Sequence, residues 1–359
     1  MAMTNVFSGA VVRCWMCGIA VILGSSAANT YGLSIRVYDP ARHDRFSSGY
    51  PSSPVINTNF HADYYDFSGV GWNVTNPVQS FALISPRHFV GANHYKPGVG
   101  TTVAFQGRDG ALTTFTVANV HNITNSAGEI TDLIVGELDR SVLACDNITF
   151  YPILDLGAEA NYTGKEILVY GKSARVGKGS ISAFQDFGGD PITGGSGVNS
   201  TRSYSFAYAN LTGANADCHF EGGDSGSPSF VTANGELFVV GIHTAVLTTA
   251  LGNSSYDTFV PHYLDQIGSV LQQQGLQPAT TAGDVFRLCY QVTPVSLDNY
   301  SISWIGHRGR VYQLEGATNL SAFTAVSGLL TANVATVTYM DSNSVDNFKF
   351  YRVRRVDSP

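Results

Sequence analysis

The stretch Glu221-Gly222-Gly223-Asp224-Ser225-Gly226-Ser227-Pro228 sets Ser225 in a glycine-framed turn between two apolar, strand-like runs. A serine hydroxyl is a poor nucleophile at neutral pH. It needs a base to take its proton and donors to receive the oxyanion that its attack creates. Glycines on both sides let the backbone turn tightly and aim N–H groups at a substrate carbonyl. The competing reading is an ordinary Gly/Ser/Pro surface turn. The rest of the chain decides between them.

Outward from this turn, short apolar runs alternate with Gly, Pro, Asn and Asp. Phe81 to Ile84, Thr101 to Phe105, Leu112 to Val117, Leu133 to Val135, Ile167 to Tyr170 and Leu237 to Val240 read as strands, so the expected class is all-β. One segment differs. In Pro261 to Gly275 the residues Leu264, Ile267, Val270 and Leu271 recur at helical spacing, with proline before and glycine after. Residues 276–284, rich in Gln, Pro, Ala, Thr and Gly, read as a linker. Residues 285–359 then resume short strands, including Ser301 to Trp304, Arg310 to Leu314, Val334 to Tyr339 and Phe350 to Val353, and suit a small β-sandwich.

The chain has 359 residues, room for about two domains. Only 13% of residues are charged, against roughly 25% in ordinary soluble domains, which suits an exported, turn-rich β protein. A net charge of -7 and the lack of any Lys/Arg run argue against a nucleic-acid partner. At the N-terminus, Arg13, the apolar run Cys14 to Leu23 and the small residues Gly24 to Ala28 form a secretory signal pattern, predicting a signal peptide over 1–28. No other segment is long and apolar enough to span a bilayer, so the mature form is expected outside the cell, or in the periplasm of a bacterium, without a membrane span. Cys14 and Cys17 would leave with the signal. Cys145, Cys218 and Cys289 remain, allowing at most one internal disulfide and showing no zinc-site spacing.

A nucleophilic Ser225 requires a histidine base and a carboxylate to orient it. Of nine histidines, His94 follows a strand and the small residues Gly91-Ala92-Asn93, which let its ring lie close to a neighbouring loop. Asp132 opens the apolar run Leu133 to Val135, where an acid can be partly buried and accept an imidazole N–H. A structural histidine and an exposed strand-start aspartate are the plain alternatives.

The order His94, Asp132, Ser225 and the motif Gly223-Asp224-Ser225-Gly226-Ser227-Pro228 resemble the trypsin/chymotrypsin-type serine proteases. Subtilisin-like enzymes and α/β-hydrolases order their triads differently. The resemblance covers roughly Phe67 to Gly275. It implies a chymotrypsin-like double β-barrel with a C-terminal helix, followed here by the small β-sandwich, and it places residues 29–66 as an N-terminal extension or propeptide. It further implies that Ser225 attacks, His94 moves the proton, Asp132 holds the imidazole, and the N–H groups of Gly223 and Ser225 form the oxyanion hole. Peptides or proteins would be the substrates, with no cofactor and no metal. The chain lacks an Ile-Val-Gly-Gly-like activation terminus and the usual cysteine pairs, so it looks like the bacterial branch. Some donor other than a new N-terminus must then satisfy Asp224.

In Val239 to Val246 the resemblance puts His243 where glutamate-specific relatives contact a substrate carboxylate, with Thr244 beside it and His219 as a second wall. An acidic preference is one reading, and a core histidine bonded to backbone is the other. The C-terminal module is similar to β modules of secreted bacterial proteins, and carbohydrate or envelope is the ligand class that similarity suggests; Trp304 and Tyr312 read equally as core. An inactive protease-like binding protein is the alternative function, disfavoured by an intact triad.

Overall fold

The computed structural model describes residues 32–187, 200–208, 216–233, 235–249, 252–280, 290–296, 299–305, 311–318, 323–332, 336–342 and 350–356. The expected signal 1–28, the rest of the linker and Cys289 lie outside them.

Residues 32–66, in the expected N-terminal extension or propeptide, pack against the body that follows. They carry β1 (Ser34–Ile35), the short helix α1 (Pro40–His43), β2 (Phe46–Ser48) and β3 (Val55–Ile56). Phe46, Phe60 and Ala62 are buried in the same apolar cluster as Trp72, Tyr170 and Phe230. Buried Arg45 donates to the carbonyls of Val70 and Gln106. The sequence hides this because the segment is polar and broken by prolines, and its links to β14 and β11, through β1 and Asp44, span more than 100 positions. The expected boundary at residue 67 is therefore not a boundary in the packing.

A closed antiparallel barrel follows. Its members are β4 (Val70–Asn73), β5 (Ser80–Leu83), β6 (His88–Gly91), β7 (Thr102–Gln106), β8 (Leu112–Thr124) and β9 (Ile130–Leu138), in the order β4-β5-β6-β9-β8-β7, with β7 closing on β4. Closure removes the unpaired edges that an open sheet would expose. Phe81, Phe89, Phe105 and Phe115 fill its interior. Each fully buried side chain of this size contributes roughly 1.5–3 kcal/mol.

The second body is a seven-stranded antiparallel sheet. It uses β10 (Glu166–Gly171), β11 (Arg175–Ser180), β12 (Ala183–Phe187), β13 (Thr201–Tyr208), β15 (Pro228–Ala233), β16 (Glu236–Thr249) and β17 (Gly252–Phe259), in the order β11-β10-β15-β16-β17-β13-β12. The two-residue β14 (Cys218–His219) pairs with β1 instead. The sheet curls on itself: the ring of Phe206 on β13 lies 2.7 Å from where a Cβ on Gly179 of β11 would stand. Helix α2 (Leu264–Gln272) ends the body, burying Ile267 and Leu271, and the chain turns away at Gly275 with φ +70. A left-handed glycine just past a helix is the expected stop. This is the chymotrypsin-like double β-barrel with its terminal helix.

In the C-terminal module, β18 (Tyr290–Ser296), β19 (Asn299–Ile305) and β23 (Thr336–Asp341) form one sheet. β20 (Val311–Ala317), β21 (Thr324–Ala325), β22 (Leu330–Thr331) and β24 (Phe350–Arg355) form another. Ile302, Trp304, Tyr312, Leu314 and Tyr351 make one core between them, so the module is a small sandwich. Trp304 is 1% exposed and Tyr312 is fully buried, so neither presents a face to a carbohydrate.

Candidate active site

His94 sits on a single 3-10 turn, Asn93–Tyr95, immediately after β6. Ala92 before it is fully buried, and the Asn93 side chain donates to the Thr131 carbonyl, tying the turn to β9. Asp132 is the third residue of β9 and 2% exposed. Its Oδ1 accepts the backbone N–H of His94 at 2.9 Å, and Oδ2 accepts Nδ1–H of the imidazole at 2.8 Å. With Nδ1 donating to a carboxylate, Nε2 keeps its lone pair and can take a proton.

Asp132 is also where the two barrels meet. The Thr244 hydroxyl of β16 donates to Oδ2, and the Asp132 N–H donates to Thr201 Oγ1 of β13 at 2.9 Å. Thr244, expected along a substrate, instead spends its hydroxyl on the carboxylate. A carboxylate that accepts hydrogen bonds from His94 and Thr244 is fixed in direction.

The Ser225 turn is built around Asp224, which is fully buried. Burial pushes its carboxyl pKa up, while backbone N–H bonds and the nearby His243 and Lys172 pull it back. Oδ1 accepts the N–H of Lys172 at 2.8 Å and Oδ2 that of Glu221 at 2.7 Å. These two backbone donors satisfy the acid. Gly223 and Gly226 take φ +96 and +86, a region open to glycine at little cost. Within the turn the N–H of Asp224 bonds to Glu221 O, that of Gly226 to His243 O and that of Ser227 to Asp224 O. Among the described residues, no acceptor takes the N–H of Gly223 or of Ser225.

This turn packs against the His94 turn. A Cβ on Gly226 would stand 3.6 Å from both Ala92 N and Tyr95 O, the residues that bracket Asn93 and His94. Ser225 is half-buried. No hydrogen bond links its hydroxyl to His94 among the described residues; without substrate such bonds are commonly long.

His243 is buried beneath the Ser225 turn. It is 1% exposed, its Nδ1 lies 2.7 Å from Asp257 Oδ1, and its Nε2 lies 2.6 Å from the Tyr170 carbonyl. A carbonyl only accepts, so Nε2 donates to it, and Nδ1 faces the carboxylate. The Asp257 carboxylate also accepts the Tyr204 hydroxyl at 2.6 Å. His219 is engaged too, with Nδ1 on the Phe220 carbonyl, Nε2 accepting from the Asn253 amide, and Glu221 3.8 Å away. Both ring nitrogens of each imidazole thus have partners within the protein, as the core-histidine reading describes.

Sequence reasoning passed over Asp257, Thr201 and Lys172. Asp257 sits in the polar run Asn253-Ser254-Ser255-Tyr256-Asp257, which looks like a loop, and only its pairing across β16 places it under the site. Among the described residues no group of three His, Cys, Asp or Glu could hold a metal. Cys145 and Cys218 are both free thiols, the first exposed and the second buried.

No protein-family model matches the chain, and no curated protein does. Solved structures that match include human heparin binding protein, at 17% identity and TM-score 0.41. A double mutant of human heparin binding protein (CAP37) matches at 16% and 0.40, and an atomic-resolution structure of HBP at 18% and 0.40. Each match covers 59% of this chain and 95% of the other.

Proposed function

We propose that the chain is a serine endopeptidase acting through an acyl-enzyme. Ser225 attacks the scissile carbonyl, and His94 accepts its proton at Nε2 and returns it to the leaving amine. Asp132 holds the ring and stabilises the imidazolium, and the N–H groups of Gly223 and Ser225 receive the oxyanion. The observation that carries this reading is the coincidence of two things in one place: an imidazole locked by Nδ1 on a buried carboxylate, and a turn packed against it in which the N–H groups of Gly223 and Ser225 have no acceptor among the described residues.

A second feature supports a peptide substrate. Beyond His243, whose N–H and C=O bond Ser227 and Gly226, β16 pairs only with β17, so the backbone of Thr244 to Thr249 has one edge without a strand partner among the described residues. That edge runs from the Ser225 turn and suits an extended peptide laid down as an added strand. The reading carries no preference for acidic residues.

Incubating the protein and Ser225→Ala with a mixed peptide library tests it. The parent is expected to cut, and the variant to lose on the order of 10⁶ in turnover with an unchanged melting temperature. Equal cutting by both, or none by the parent over a broad pH range, sinks the proposal.

A further inference from the structure

Lys172 follows β10 and is only 8% exposed, an unusual place for a lysine. The backbone after it is strained: Ser173 and Ala174 take φ +60 and +59, where residues with a Cβ seldom go. That kink turns the lysine toward the Ser225 turn. Its backbone N–H binds Asp224, and its ammonium donates to the Gly222 carbonyl at 2.6 Å. The stem lies along Gly223, with Cδ 3.3 Å from the position of a Cβ there.

The Gly222–Gly223 peptide is flanked by glycine on both sides, so its plane can rotate cheaply. It is trans, and in a planar trans peptide the C=O and the following N–H point in opposite directions. Holding the Gly222 oxygen on the Lys172 side therefore forces the Gly223 N–H to the other side. With the plane reversed, a carbonyl oxygen would occupy the donor's place and repel a developing oxyanion.

We propose that Lys172 is a positioning residue that clamps the Gly222–Gly223 peptide in the orientation that presents the Gly223 N–H to the oxyanion. The clamp rests on the endopeptidase reading above. A charged donor suits the task, since its hydrogen bond to a carbonyl is stronger than a neutral one. The ammonium acts on the carbonyl of the same peptide whose N–H is used, so its effect is confined to the transition state. Substrate binding along β16 does not pass through it.

The test compares the full-length parent with Lys172→Met, which keeps the apolar stem, and Lys172→Arg, which keeps a charged donor. Two probes are used: a quenched fluorescent peptide built on a bond the library shows to be cut, and the peptide aldehyde ending at that bond. In the aldehyde adduct Ser225 Oγ bonds the carbonyl carbon, the C=O π pair moves to its oxygen, and the hydroxyl proton passes to His94. Lys172→Met is expected to lose on the order of 10²-fold in kcat, the size of one missing oxyanion donor, with KM within about threefold. Aldehyde affinity should fall in step with kcat, and Lys172→Arg should recover most of both. A general loosening would instead lower the melting temperature and raise KM. Should the methionine variant not fold, Lys172→Gln reads the same kcat and aldehyde ratio. An active parent with undiminished kcat and aldehyde affinity in the folded, uncharged variant overturns the clamp alone. A parent without Ser225-dependent turnover overturns the endopeptidase reading and the clamp with it.

Discussion

The closed β4–β9 barrel is filled by rings, with Phe81 4.4 Å from Phe89 and 5.7 Å from Phe105, and Phe105 5.8 Å from Phe115. The second body packs apolar residues on β10, β15 and β16, but near the Ser225 turn its interior is polar: His243, Asp257, Tyr204, Asp224, Ser227 and Ser229 are all nearly or fully buried. The first body supplies His94 and Asp132 from a rigid apolar frame. The second supplies a turn whose shape is written in buried hydrogen bonds. Apolar packing is tolerant in direction, whereas a hydrogen bond fixes one, and an oxyanion site needs N–H groups aimed within a narrow cone.

The comparison can be broken most severely at Asp257. Asp257→Ala removes one partner of the buried His243–Asp257 pair and should cost about 3–5 kcal/mol. Phe105→Ala in the other barrel should cost a similar ~3–5 kcal/mol through its cavity. The two differ in repair. Adding His243→Leu to Asp257→Ala should recover part of the loss in denaturant titrations, because the buried imidazole left without its partner is removed as well. If the double variant is no more stable than Asp257→Ala, the polar interior is not what sets that cost.

A smaller effect is expected in acid, and it falls on the apolar barrel. Burial pushes His88, whose Nδ1 lies 2.8 Å from Ser85 Oγ, down to about 4. Its folded pKa is below its unfolded value of 6.5, so the unfolded chain binds the extra proton between those pH values. Stability contributed by neutral His88 is therefore complete above 6.5, declines as pH falls, and is gone below about 4, up to ~3 kcal/mol in all. His88→Gln should flatten the slope of stability against pH in that window. An unchanged slope would mean that another group titrates there.

Two glycines give the smallest and sharpest contrast. A Cβ on Gly241 would stand 2.2 Å from Tyr204 Oη and 2.5 Å from Asp257 Oδ2, so Gly241→Ala should cost about 1–3 kcal/mol. On Gly91 in β6 the nearest atoms would be 3.6 Å away or more, and Gly91→Ala should sit within about 1 kcal/mol of the parent, on the stabilising side. Thermal melts of the two variants rank the barrels by tolerance, and a reversed ranking would refute the contrast.

The same division governs how legible the molecule was. The apolar strands β5, β7, β9 and β10 were visible because their cores are runs of Phe, Val, Leu and Ile, and α2 because its spacing is helical. β13 and β17 were not: Thr201 to Tyr208 and Gly252 to Phe259 are rich in Ser, Thr and Asn, and their inward residues are buried against other polar groups. No hydropathy pattern marks a strand whose core-facing residues are Ser255 and Asp257. The packing of residues 32–66 was hidden for a related reason, since their partners on β10, β11 and β14 lie far along the chain.

By itself the sequence determined the glycine-framed Ser225 turn, the order His94, Asp132, Ser225, and the all-β body closed by a helix. Those follow from local chemistry, in which residue type and spacing are enough. The tertiary structure alone decided that Thr244 serves Asp132, that His243 belongs to Asp257 and Tyr170, and that Lys172 holds the Gly222 carbonyl. Each is a hydrogen bond between residues 14 to 112 positions apart. Such bonds exist only once two strands or turns have been brought within 3 Å, and nothing in the local sequence encodes which distant group will be waiting there.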